Sequence, residues 1–243
     1  MLLGWLLAFS LAASSSTAFA SPVQLPFGSD SQARGGGDDS AESTRESWRD
    51  PRPGGGSMLD QATDWGLGEP LNIIISSKSS PDVLRESGFI AYSRSLGLWA
   101  ECANLHLGDA QYANLGDGKG WEPELFEMRE SWWPYVGSCL ESVIGGNHFR
   151  AWKQNGSEAD TGAWFLAASK EVDARGNHKI AHDGYNVGRD LIIQKALEGT
   201  RYLGRSWTTT VEWVEGLLPA GSDGINHDIA QDGRVAVLTA IEF

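Results

Sequence analysis

The chain has 243 residues, 41% of them hydrophobic, and carries 32 acidic against 19 basic side chains, for a formal net charge of -13 and a pI near 4.7. A polyanion of this kind repels phosphate backbones and anionic lipid headgroups, so nucleic acid and acidic membrane surfaces are excluded as expected partners.

The apolar run over residues 2–11 is about half the length needed to cross a bilayer but suits the core of a secretory signal. Ala18-Phe19-Ala20 follows with a small-x-small cleavage pattern, so residues 1–20 read as a signal peptide and Ser21 as the first mature residue. The n-region has no Lys or Arg, only the terminal amine. After cleavage no membrane association is expected, and the protein is expected outside the cell. Residues 21–68 contain Gly35-Gly36-Gly37-Asp38-Asp39-Ser40 and Pro51-Arg52-Pro53-Gly54-Gly55-Gly56-Ser57, with few apolar side chains to offset the entropy of ordering. They read as a flexible arm or pro-segment, and one globular domain is expected over 69–243.

Within that domain Leu71-Asn72-Ile73-Ile74-Ile75-Ser76 is a β-branched run that predicts a buried strand. Ser80-Pro81-Asp82 predicts a short helix with Ser80 as cap, ending by Gly88. The stretch 121–140 reads as partly helical and interrupted at Pro134. In His148-Phe149-Arg150-Ala151-Trp152-Lys153, alternation puts His148, Arg150 and Trp152 on one strand face, and Ala163-Trp164-Phe165-Leu166-Ala167-Ala168-Ser169 returns as its hairpin partner. Asn186 is the expected cap of a helix running through Leu191, Ile192, Ala196 and Leu197 to a stop at Gly199. Alternation about Trp207, Thr209, Val211 and Trp213, and again about Val235, Val237, Thr239 and Ile241, predicts two half-buried strands. The fold expected from this sum is α+β, a mixed sheet with several helices.

Cys102 and Cys139 are the only cysteines, and in an oxidising route they are expected to form one disulfide; Asn155-Gly156-Ser157 is a glycosylation sequon on the predicted hairpin loop. Two segments gather polar chemistry. Asn147-His148-Phe149-Arg150-Ala151-Trp152 is one, and residues 178–190, from His178 through His182-Asp183-Gly184-Tyr185 to Arg189-Asp190, are the other. A strand, then His-x-Arg-x-Trp, then a His-containing stretch leading into Arg-Asp at a helix start resembles the LssY-like C-terminal domain family, over roughly residues 69–197. The resemblance bears on the fold. This chain departs from the family by its signal peptide and cysteine pair, and by spacing His178 and His182 apart where the family tends to place two adjacent His.

Read chemically, His148 and His182 are candidates for general acid/base work, Asp183 or Asp190 for orienting a ring, and Arg150 or Arg189 for holding an anionic group. The alternative is a buried ionic network in which Arg189 pairs with an acid and His182 bonds backbone. His178, His182 and Asp183 form a weak metal candidate lacking the intervening Glu of a zinc-protease helix; no cofactor is expected. Ten of the eleven tryptophans lie beyond residue 20. Most are expected in the core, with Trp132-Trp133 the pair expected to be exposed for stacking on sugars. Three functions follow. The first is a secreted, disulfide-stabilised globular protein with a His/Arg polar site, the second a hydrolase of phosphate or carboxylate esters, and the third a cell-wall or glycan-binding protein. The expected partner is a small molecule or a glycan.

Overall fold

The computed structural model describes residues 46–63, 66–101, 109–131, 137–173 and 179–243. In chain order these form β1 (Ile73–Ile75), α1 (Glu86–Ser95), β2 (Leu98–Ala100), β3 (Tyr112–Asn114), β4 (Trp121–Pro123), β5 (Phe126–Glu130), α2 (Gly137–Ile144), β6 (Asn147–Lys153), β7 (Trp164–Lys170), α3 (Gly184–Leu197), β8 (Thr200–Tyr202), β9 (Arg205–Val214) and β10 (Val235–Glu242). The expectation of a balanced α+β domain is corrected. Eight strands form one sheet, curled into a half-barrel in the order β2-β5-β6-β7-β1-β10-β9-β8, and the helices only cover it. Strands β3 and β4 make a separate two-stranded antiparallel sheet.

Burial explains the centre of the sheet. Ile73, Ile74 and Ile75 are enclosed on both faces, which a β-branched triplet tolerates well, and β1 pairs antiparallel with β7 and parallel with β10. One face carries Phe89 and Tyr92 of α1 and Ile192, Ile193 and Ala196 of α3 against Phe149, Trp164, Leu238 and Trp207, with Phe89 stacked on Trp164 at 4.3 Å between centroids. The other face packs Leu71, Ile74, Trp152, Phe165, Val235 and Val237 against Met58, Leu217 and Leu218.

The β6–β7 hairpin and the strands β9 and β10 form where alternation predicts them. The helix expected from Ser80 is displaced: residues 81–85 make a turn, and α1 starts at Glu86 and runs through Gly88. Gly88 fits because a Cβ there would meet Asp82 O at 2.0 Å, so the helix sits directly on that turn. Residues 121–130, expected within a partly helical stretch, are strands β4 and β5; helix follows only in α2, and Pro134 lies outside the described residues. Helix α3 begins one turn before the predicted cap, with Asp183 in the left-handed region (φ 58°) and no side-chain cap bond.

The arm is also shorter than predicted. Arg49 and Gln154 exchange backbone and side-chain hydrogen bonds of 3.0 and 2.9 Å, Trp48 packs edge-on against Phe165, and Met58 and Asp60 are buried. Compact packing therefore takes in the described residues from Glu46 onward, well before the expected boundary at Glu69.

Candidate functional site

Antiparallel register sets the surroundings of His148 and Arg150. His148 stands opposite Arg129 of β5 and Ser169 of β7, and Arg150 stands opposite Glu127 of β5. His148 is fully buried, with Nε2 3.3 Å from Ser169 Oγ and Nδ1 3.4 Å from Glu171 Oε1. Arg129 meets Glu127 (2.8 Å), Glu171 (2.9 Å), Glu101 (3.3 Å) and Glu141 (3.4 Å). Arg150 meets Glu124 and Glu127 (3.1 Å each) and Glu69 (3.6 Å). The Gln111 amide joins them, its nitrogen donating to Asp60 Oδ2 at 2.6 Å and its oxygen accepting from Arg150 Nη1 at 3.3 Å.

Carboxyl groups outnumber guanidiniums in this network, and a low-dielectric interior does not hold so many like charges. Burial, reinforced by the neighbouring Glu69, raises Asp60 well above the usual range. Burial likewise raises Glu69 against the pull of Arg150, and lifts Glu141 to about 7 against that of Arg129. The arginines are held charged, their burial outweighed by the surrounding glutamates.

The second predicted segment is elsewhere. Arg189 of α3, buried, donates to both oxygens of Asp232 (2.7 and 2.8 Å), to Asp190 Oδ1 (2.8 Å) and to the Arg234 carbonyl (2.8 Å), and its guanidinium lies 4.9 Å from the Trp213 ring centre. His182 is exposed ahead of the helix, Asp183 accepts a 2.6 Å bond from Asn186 Nδ2, and Asp190 is exposed. The structure thus keeps His148 and Arg150 in one network and Arg189 and Asp190 in another, with His182 in neither. Arg189 follows the ionic-network alternative, although the alternative's backbone bond to His182 is absent among the described interactions.

His178, of the metal candidate, and Cys102 lie outside the described residues, as do Trp132 and Trp133; among the described residues no group of three or more His, Cys, Asp or Glu is placed to hold a metal ion. Cys139 is half-buried on α2. Asn155 is exposed on the β6–β7 loop, its side-chain oxygen accepting from Lys119 Nζ at 2.7 Å.

Sequence reasoning missed an open cleft of about 760 Å³ lined by Gln61, Ala62, Thr63, Asp109, Ala110, Gln111, Tyr112 and Trp121. In the β3–β4 register Tyr112 faces Pro123 and Asn114 faces Trp121, so period two puts all four on one side while Ala113 is buried on the other. Tyr112 is 42% and Trp121 48% exposed. At Ala110 this cleft meets a second of about 310 Å³, lined by Ala100, Glu101, Glu124, Leu125, Phe126 and Glu127. The sequence signal was the Gly118-Lys119-Gly120 turn before Trp121, which breaks any helix there and sets up a short hairpin. A smaller cavity of about 110 Å³ lies beside Trp152, but the Trp152 indole N–H is already bonded to the Glu122 carbonyl (3.1 Å).

Comparison of the chain with protein-family models, with characterised proteins and with solved structures finds no match.

Proposed function

We propose that the chain is a secreted glycan-binding protein whose ligand lies in the Tyr112–Trp121 cleft. The observation that carries this reading is the half-exposed Trp121 beside Tyr112 on an open groove. Two large aromatics lining one groove make a joined apolar patch rather than scattered exposure, and the C–H face of a pyranose is a flat apolar surface that would cover it. The polar lining suits sugar hydroxyls: Gln61 and Gln111 offer amides, Thr63 a hydroxyl and Asp109 a carboxylate. Retention on insoluble polysaccharides tests the reading. Trp121→Ala and Tyr112→Ala, both at exposed positions, should each weaken retention about tenfold without lowering Tm. Unchanged retention of the double variant would remove the cleft from consideration.

Secretion belongs to the same proposal. Intact mass and peptide mapping of material from the culture medium should give Ser21 as the first residue, a Cys102–Cys139 linked peptide and a glycan on Asn155. A reduced pair or an unmodified Asn155 would count against that part.

Ester hydrolysis has one observation in its favour, the Ser169–His148–Glu171 line with its nucleophile, base and orienter spacing. Two facts outweigh it. Ser169 is fully buried in β7, and Arg129 and Arg150 are already surrounded by carboxyl groups, so neither is left to hold an anionic ester.

A further inference from the structure

The β3–β4 hairpin has a second face. Ala113 stands opposite Glu122 in its register, on the side away from Tyr112 and Trp121, and there the cavity of about 110 Å³ opens beside Trp152. Its apolar lining comes from Ala113, Leu115, Pro123, Leu125 and Trp152. The Trp152 indole N–H is already given to the Glu122 carbonyl, so the ring offers only carbon to an occupant. Four charges surround this lining, Lys119 and Lys153 of one sign and Glu86 and Glu122 of the other.

Unlike the acids and arginines of the buried network, these four have no ion-pair partner among the described residues. Lys119 Nζ donates to Asn155 Oδ1 (2.7 Å), and Lys153 Nζ donates to the Leu84 carbonyl (2.7 Å) while standing 5.2 Å from the Trp164 ring centre. An ammonium carries three donors, so each lysine keeps some for a ligand. Lys153 is half-buried, and in a chain with 32 acidic against 19 basic side chains a half-buried cation without a carboxylate beside it is the exception. Asp117, the remaining charged residue of the lining, is buried and accepts from the backbone N–H groups of Lys119 and Asn155 (3.1 Å each), which commits it to the loop.

A simple organic anion entering here would meet Glu86 and Glu122, and a simple amine would meet Lys119 and Lys153; a molecule carrying both charges side by side meets a complement for each. Apolar cavities of about 150 Å³ take up benzene, so about 110 Å³ suits a shorter group, on the scale of an isobutyl side chain. We infer that this cavity is a second binding site, for a free α-amino acid with a short branched aliphatic side chain. The side chain lies against Trp152, Leu115 and Leu125, the carboxylate faces Lys153 and Lys119, and the ammonium faces Glu122 and Glu86. This site is separate from the proposed glycan cleft, on the opposite face of the same hairpin.

The test titrates the purified chain, freed of N-glycan, by calorimetry at neutral pH with leucine, with isocaproate, which lacks the amine, and with isoamylamine, which lacks the carboxylate. Leucine should bind at least about tenfold more tightly than either analogue. Lys153→Gln, which can still donate to the Leu84 carbonyl, should weaken leucine and isocaproate and leave isoamylamine unchanged. Glu122→Gln should do the converse, and Lys119→Gln, at an exposed position, stands in for Lys153→Gln if that variant has a lowered Tm. Equal affinity for the three ligands would reduce the site to apolar contact, and isocaproate binding as tightly as leucine would make it an anion site. Either result overturns the inference, as does the absence of saturable heat with leucine. Retention on polysaccharides reads the other face of the hairpin, so the glycan reading stands or falls separately.

Discussion

Arg189 has the fixed donor fork expected of an anion clamp, and it is one, but the anion is internal. Both Asp232 oxygens occupy its guanidinium, Asp190 takes Nε, and the Trp213 ring lies against it. Because the Asp232 side chain is a third exposed, Asp232→Asn should cost about 2 kcal/mol rather than the larger penalty of a sealed pair, read as a lower urea midpoint with an unchanged m-value. Glycan retention should be untouched. At this scale alternation correctly places His148, Arg150 and Trp152 on one side of β6. What they face was not legible, since Glu69, Glu127 and Glu171 come from three segments that only the sheet brings together. Residue type suggested catalysis; register supplied acids enough to occupy every cation.

Helix α3 shows how closely the elements are fitted. A Cβ on Gly188 would lie 2.4 Å from the Ser169 carbonyl carbon and 2.5 Å from its Cα, so the helix backbone rests directly on β7. Asn147 Nδ2 donates to the Gly188 carbonyl and Asn72 Nδ2 to the Tyr185 carbonyl, fixing the helix along its first turns. Gly188→Ala should therefore lift α3 off the sheet and cost about 3 kcal/mol, visible as a drop in Tm and faster amide exchange in β7; a wild-type Tm would contradict this close fit. Strand β9 was legible because its burial alternates, and β10 because it is a long β-branched run, although residues 235–238 turn out to be buried on both faces. Strand β5 was misread although Phe126 and Met128 alternate with Glu127 and Arg129. Its charged positions face a buried network rather than water, so their number suggested a surface helix. Tyr112 and Trp121 escaped notice because three-residue strands carry too little pattern to mark a face.

Across the whole molecule the buried acids set the pH response. Asp60, Glu69 and Glu141 keep protons in the folded state that the unfolded chain has released, so their contribution is present at low pH and is lost as pH rises. For Glu141 the loss runs from about 4.5 to about 7. Asp232 works in the opposite sense. Its burial is outweighed by the bond from Arg189, its pKa is lowered, and its contribution fades as pH falls below the usual aspartate range. Stability should peak in mildly acidic solution, with Tm falling between pH 5 and 7.5 and Glu141→Gln flattening that fall. A Tm that rises over this interval would contradict the protonated network.

Strand β1 sits between β7 and β10, and its parallel partner lies about 160 residues further along the chain. The sheet cannot close when β1 is synthesised, nor when the β6–β7 hairpin has formed, but only once residues 235–242 arrive to fill the gap between β1 and β9. Contacts this distant make for slow, late folding. Until β10 docks, β1 and β9 each keep an open edge, so the unfinished sheet is exposed to pairing with other chains.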